Sequence, residues 1–291
     1  MENSKENEKP RWGQARRLAF IDLRLQYDGR INRRDLQAFF DISTPQASAD
    51  LDLYKKVAPS NIRYDASARM FVALDSFEPQ YGRSAATSYL DDVYRLARGV
   101  VEADEIFEGF IPPTGVVATP SRAIGASLVA TLVRAIRDRV ALSVRYQSMD
   151  EPSPVDRIIS PHALGFDGLR WHVRAWCHQR ALFRDFAIGR LVIDGEIAAD
   201  QVDPARDVGW ETVVDVILIP HPKLSPSQRD VVIRDYEMKD GQKIVPCRKA
   251  MLFYTLRHLN LDSPEVLDNP ARQHVIVKNR TDVDRWVRED R

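Results

Sequence analysis

The chain has 291 residues, 44% of them hydrophobic, which is enough apolar material for two or three cored domains. Its 42 basic and 42 acidic residues cancel to a formal net charge of zero, so no chain-wide basic field marks a nucleic-acid binder. The opening MENSKENEKPRW lacks the apolar stretch of a signal peptide and no run reaches the length of a membrane-spanning helix, so a soluble, cytoplasmic protein with no membrane contact is expected.

Residues 1–10 read as a disordered tail. A helix is predicted over 11–27, with Ala15, Leu18, Ile21 and Leu25 on one apolar stripe and Arg16, Arg17 and Arg24 off it. Asp28-Gly29 ends that helix with turn chemistry. Asn32 is a good N-cap for a short second helix ending near Phe40, and Ile31 and Leu36 occupy the positions of a hydrophobic staple. A third helix starts at Ser43 or Thr44. Thr44 as cap puts Pro45 at the first helical position, whereas Ser43 as cap makes an S-x-x-Q box with Gln46. Both registers stay open, and either one buries Ala47, Leu51 and Tyr54 on a shared face. Ile62–Asp65 and residues 69–74 read as strands around Asp65-Ala66-Ser67-Ala68. Three helices and a hairpin make a winged helix-turn-helix, and the plainer alternative is a three-helix packing element.

Residues 77–119 form a connector. Ser88 is placed as the cap of a helix running to Gly99, with Leu90, Val93 and Leu96 on one face, and Ile111-Pro112-Pro113-Thr114-Gly115 breaks any regular element. Ser121 caps a longer helix with the stripe Ile124, Leu128, Leu132 and Ile136. Strands follow at 140–147 and from Arg157, then 169–177 and 182–188 flank the turn His178-Gln179-Arg180-Ala181. Alternation sends Trp171, Val173 and Ala175 to one face of the 169–177 strand and Arg170, His172, Arg174 and Trp176 to the other. A cationic, aromatic face of that kind suits an anionic planar ligand, and Asp185 is expected to pair with Arg184 or Arg190. Polar residues 200–207 mark a boundary. Beyond it come a strand over 213–219, a helix opened by the box Ser225-Pro226-Ser227-Gln228, a strand over 242–246, a helix over 248–259 and the strand Val275–Val277.

Phosphate-loop, dinucleotide, nucleophile-elbow and zinc-protease motifs are absent, and the six histidines do not cluster at metal spacing. Cys177 and Cys247 form no CxxC and are expected as two buried thiols. No catalysis, metal or cofactor is therefore expected. Local charge is more telling. Residues 9–34 carry Lys9, Arg11, Arg16, Arg17, Arg24, Arg30, Arg33 and Arg34 against only Asp22 and Asp28, an excess that can meet phosphate. Gln46 can pair bidentately with adenine, and Thr44 and Ser48 can reach bases or phosphate. Arg33 and Arg34 open the second helix, Lys55 closes the third, and Arg63, Tyr64 and Arg69 occupy the wing. As a plain reading, each of these cations is a solvated surface charge.

Trp171-His172-Val173, Tyr146 at a strand end, Ser160-Pro161, and Phe186 followed by Gly189-Arg190 resemble the WYL domain, a ligand-sensing module of bacterial regulators in which a Trp-Tyr-Leu run stands where His172 and Val173 depart here. The segment RRDLQAFFDISTPQASADLDLY is similar to the DNA-binding part of the BrxR/CapW branch of WYL regulators, which control phage-defence operons. The resemblance implies an α+β multidomain chain: a winged helix-turn-helix over 11–78, a helical connector over 79–120, an SH3-like β-barrel WYL domain over 121–204 and an α+β dimerisation domain over 205–291. It also implies a ligand pocket built from Tyr146, Ser148, Ser160, His162, His172, Arg174, Phe186 and Arg190, against the plainer reading of a surface patch with a buried Tyr and Phe. The expected activity is that of a homodimeric repressor of a phage-defence operon. It would bind an inverted-repeat DNA operator and be relieved by a nucleotide or oligonucleotide. The alternative is a WYL-type nucleic-acid-binding accessory to a separate enzyme.

Overall fold

The computed structural model describes residues 12–82, 85–120, 122–199, 202–262 and 268–290. The expected tail at 1–10 and the expected cap Ser121 lie outside the described residues. The chain divides into two compact units, Met1–Ala118 and Thr119–Arg291. Among the described residues no helix is long and apolar enough to cross a membrane.

The first unit opens with α1 (Trp12–Asp28), β1 (Arg30–Ile31), α2 (Arg33–Phe40) and α3 (Thr44–Val57), followed by the wing strands β2 (Ile62–Asp65) and β3 (Met70–Ala73). Local sequence explains the helix boundaries. Gly29 takes the left-handed φ of +69° that ends α1. The Asn32 side chain accepts from the backbone of Arg34 and Asp35 while Asp35 accepts from the Asn32 N–H, a full capping box around the buried staple of Ile31 and Leu36. Ser43 is the N-cap of α3, which decides the register left open by the sequence, with Thr44 and Pro45 as the first two helical residues. Ala47, Leu51 and Tyr54 are buried as expected. The wing has a third strand that the pattern did not show, since β1 pairs with β3 through only two residues.

The connector is less separate than its sequence suggests. Phe107 is buried among Phe20, Phe39 and Phe40, with ring centroids 4.9–6.0 Å apart within the group. In this unit α4 (Ala86–Ala97) begins after Ala85 with no side-chain cap, so Ser88 lies inside the helix and not at its end. Leu90 is exposed, and the helix buries Asp92 and Val93 while Tyr89 stacks on Tyr27 at 4.0 Å. The 90/93/96 spacing drifts around the helix, whereas 89, 92, 93 and 96 lie on one face. The polar Asp92 hid that face from a hydrophobic pattern.

The second unit contains α5 (Ala126–Asp138), then β4 (Val140–Tyr146), β5 (Val155–Phe166), β6 (Trp171–Cys177), β7 (Leu182–Ala187) and β8 (Leu191–Ala199). They form one antiparallel sheet in the order β7-β6-β5-β4-β8. The order is open, with β7 and β8 at its ends, so these ladders do not close the expected SH3-like barrel. β5 runs longer than expected, passing through Pro161 with a bulge between Pro161 and Ala163. Its pairing with β4 stops at Ile159, so the missing N–H of Pro161 leaves no gap in that ladder. Leu132 of α5 packs on Leu142, Val144, Ile159, Val173 and Ala175.

After the short α6 (Val208–Glu211) come β9 (Val213–Pro220), α7 (Pro226–Asp235), β10 (Lys243–Arg248), α8 (Leu252–His258), β11 (Val275–Val277) and α9 (Arg280–Glu289). The Ser225/Gln228 capping box is present. The helix expected from 248 starts as a 3₁₀ turn over Lys249–Met251. The amphipathic α9, burying Val283, was not anticipated. Cys177 and Cys247 are free, buried thiols in separate cores.

One buried carboxylate ties the first unit together. Asp22 of α1 accepts from the Tyr54 hydroxyl of α3 and from the backbone N–H groups of Gln80 and Tyr81, at 3.1–3.2 Å for the latter two. Burial, together with Asp22, pushes the Tyr54 hydroxyl well above its usual range, so it stays a donor. Tyr54→Phe is expected to leave Asp22 short of a donor and to lower stability by about 1–3 kcal/mol in urea unfolding, with the same slope.

Candidate nucleic-acid interface and the polar face of the WYL sheet

The helix-turn-helix and wing bring a set of exposed cations together. Arg33, Arg34, Asn32, Tyr64, Ala68, Arg69, Met70 and Phe71 line a cleft of about 410 Å³. Arg33 and Arg34 come from the first turn of α2, at the positive end of the helix dipole. Arg69 comes from the wing turn, held at φ +53°, and Tyr64 stands half exposed against Phe71 at 5.1 Å. Among the described residues none of these three arginines has a carboxylate partner. Arg33 donates to Ser48 Oγ at 3.4 Å, and Gln37 donates to Thr44 Oγ1 at 2.9 Å, bracing α2 against the first turns of α3. Arg63 lies 3.9 Å from Asp65, and Lys55 is exposed near the end of α3. Gln46 does not complete the capping box: Ser43 Oγ accepts from its backbone N–H, but its side chain donates to Asp50.

The polar face of β6 is differently arranged. Arg174 and His172 are buried, covered by residues from the last third of the chain. The Arg174 guanidinium donates to both Asp207 oxygens at 2.7 and 3.0 Å, lies 3.1 Å from Asp290 and 3.4 Å from Asp185. Asp185 therefore pairs with Arg174 and accepts from the Tyr254 hydroxyl at 3.2 Å, not with Arg184 or Arg190 as expected. The reason is cross-strand register: Asp185 sits directly opposite Arg174 in the β6–β7 ladder. Arg174 is thus not the open fork the strand pattern suggested. Gly209 leaves room for this cluster, since a Cβ there would meet Asp290 Oδ1 at 1.9 Å.

Burial would raise the Asp207 carboxyl, but His162, 2.9 Å away, and Arg174 hold it well below the usual carboxylate range. For Asp185 and Asp290, burial outweighs Arg174 and raises both. The His172 ring lies against Tyr254 at 5.0 Å, and burial lowers its basicity. Tyr146 accepts from the Ala187 N–H at 3.3 Å and meets Phe186 edge-on at 5.0 Å. Ser160 bonds His178 at 2.8 Å, and Ser148 accepts from the Asp150 N–H. Arg190 is half-buried and has no carboxylate partner among the described residues. Tyr146, His172 and Arg190 are close enough to act electrostatically on this neighbourhood, which His162 joins through Asp207, whereas Ser160, with His162, Arg139 and Phe183, lines a cavity of about 180 Å³. Sequence reasoning missed Asp207, Tyr254 and Asp290, which are 33 to 116 positions from Arg174 or Asp185. No local spacing signals such contacts. Among the described residues no group of three or more His, Cys, Asp or Glu side chains could hold a metal ion.

Three family models match in chain order. They are the BrxR transcriptional regulator winged helix-turn-helix domain over residues 13–95, the WYL domain over 127–192, and the BrxR transcriptional regulator C-terminal dimerization domain over 213–283. The chain is 63% identical over 284 residues to the DNA-binding transcriptional repressor CapW of Stenotrophomonas maltophilia, covering 97% of this chain and 95% of that protein. It is 42% identical to the protein of that name from Pseudomonas aeruginosa, with 96% and 94% covered, and 40% identical to that of Escherichia coli strain KTE188, with 97% and 94% covered.

The Arg174 network generates a pH-dependent expectation. Arg174→Ala leaves Asp185, Asp207 and Asp290 buried without their cation, and should lower stability at pH 7 by about 3–5 kcal/mol. Without the guanidinium the Asp185 and Asp290 carboxyls, already raised by burial, rise further, so at these two groups the folded variant binds more protons than the unfolded chain. Its stability therefore increases as pH falls from 7 towards 5. The gap to wild type should narrow over that window in denaturant titrations at each pH.

Proposed function

The chain belongs to the family of BrxR and CapW transcriptional regulators, and from that premise we propose that it is a homodimeric, sequence-specific DNA-binding repressor of a phage-defence operon. The observation that carries the reading is the cleft between α2 and the wing, where Arg33, Arg34 and Arg69 converge without acidic partners among the described residues. Such cations anchor phosphates, while the short side chains Thr44, Gln46 and Ser48 in the first turns of α3 read base edges. Lys55, Arg63 and Tyr64 extend the footprint. One winged domain offers few base contacts, so two copies on an inverted repeat supply the specificity, joined through residues 205–291.

In this division of labour residues 11–78 read DNA, 79–120 connect, and 121–204 sense. We read the open five-stranded sheet as a relative of the SH3-like barrel. The protein acts in the cytoplasm, without catalysis and without a cofactor.

Relief of repression falls to a nucleotide or oligonucleotide at the sensor face, which includes Tyr146, Ser148, Ser160, His162, His172, Arg174, Phe186 and Arg190. Arg174 already faces three carboxylates, so the phosphate-binding cation in this reading is Arg190, beside the aromatic pair Tyr146 and Phe186. A ligand there changes DNA affinity only if it binds the DNA-free and DNA-bound forms unequally.

Two expectations test the proposal. Arg33→Ala and Arg69→Ala should each weaken binding to all duplexes alike and lower the salt slope by about one, measured by fluorescence anisotropy across a salt series. Arg190→Ala should keep full operator affinity in gel shifts but no longer respond to a panel of nucleotides and short oligonucleotides that release wild type. If Arg190→Ala instead weakens operator binding with no ligand present, the face holds nucleic acid directly and the accessory-protein alternative gains.

A further inference from the structure

Asp50 of α3 is fully buried, and its carboxylate receives three N–H groups. Arg17 of α1 donates through Nε at 2.6 Å and Nη2 at 3.3 Å, and Gln46 donates through Nε2 at 3.2 Å. A carboxylate paired with a guanidinium can only accept. The side-chain amide of Gln46 therefore has one permitted orientation, with its nitrogen towards Asp50. That contact uses one of the two amide hydrogens. The other hydrogen and Oε1 have no partner among the described residues, and together they form an adjacent donor–acceptor edge. That edge matches N7 and the N6 amino group of adenine.

We propose that Asp50 and Arg17 are positioning residues that set the base read by Gln46, so that adenine specificity is imposed from beneath the recognition helix. The inference rests on the repressor reading above. An isolated Gln on a helix surface can turn its amide over and offer two donors instead, which suits the O6 and N7 of guanine. Asp50 removes that choice, and Arg17, bridging from α1, holds Asp50 in place. The discrimination thus depends on two side chains that need not touch DNA.

The test uses the full-length protein and duplexes it selects from a randomised pool. Replacing one adenine of the selected half-site by 7-deazaadenine removes only the N7 acceptor. Wild type is expected to lose at least about tenfold in affinity at that position, and Gln46→Met to lose nothing further there. Asp50→Asn offers Gln46 an N–H in place of a carboxylate oxygen, which turns the amide over, so selection by this variant should move from adenine to guanine at the same position. A role confined to stability would not move that preference. If wild type selects no consensus, the repressor reading itself fails. If it selects one but tolerates 7-deazaadenine everywhere, or if folded Asp50→Asn still selects adenine, the positioning role is overturned and Gln46 is a brace. Should Asp50→Asn fail to fold by thermal melting, Arg17→Lys takes its place: it keeps a cation beside Asp50 but removes the fork that fixes it, so its 7-deazaadenine penalty should fall below that of wild type, and an unchanged penalty in folded Arg17→Lys overturns the positioning role.

Discussion

A charge can leave water only beside a counter-charge or a full set of hydrogen bonds, because stripping an ion of its hydration costs several kcal/mol. Each unit of this chain is organised around a group that meets that condition with partners from distant sequence. In the first unit Asp22 and Asp50 tie α1 to α3 and to the residues after the wing. In the second, Arg174 on β6 gathers Asp185 from the neighbouring strand, Asp207 from the start of α6 and Asp290 beyond α9. Removing one member strands the others, so these groups hold the geometry in which nearby side chains sit.

The same constraint separates two kinds of cation. Arg33, Arg34 and Arg69 keep their charge at the surface with no acid beside them among the described residues, and are free to meet phosphate. The Arg174 guanidinium is spent on internal carboxylates, which makes it a fastener between the sheet and the chain's last third. Both kinds look alike as residues in a strand or helix. What distinguishes them is the number of carboxylates that the fold delivers to each. Near β6 the Arg174 guanidinium therefore already faces carboxylates, whereas Arg190 has none beside it among the described residues.

Much of the fold was legible because it rests on short-range rules. The Asn32 cap, the Ile31/Leu36 staple, the Ser225/Gln228 box and the buried face of Ala47, Leu51 and Tyr54 each span only a few positions of chain, and all form. Where the pattern failed, a polar residue or a short element broke the periodicity. Asp92 stands on the buried face of α4, β1 has only two residues, and Pro161 interrupts the reading of β5.

By itself the sequence determined the capped starts at Asn32 and Ser225, the winged arrangement and the β6–β7 hairpin, because caps, turns and alternation act between near neighbours. Only the tertiary structure decided that Gln46 turns to an Asp50 held by Arg17, and that the polar face of β6 is a buried ion network. Those outcomes depend on groups brought together across 33 to 116 positions of chain, in the cases of Arg17 with Asp50 and Arg174 with Asp290, and no local spacing encodes such a meeting.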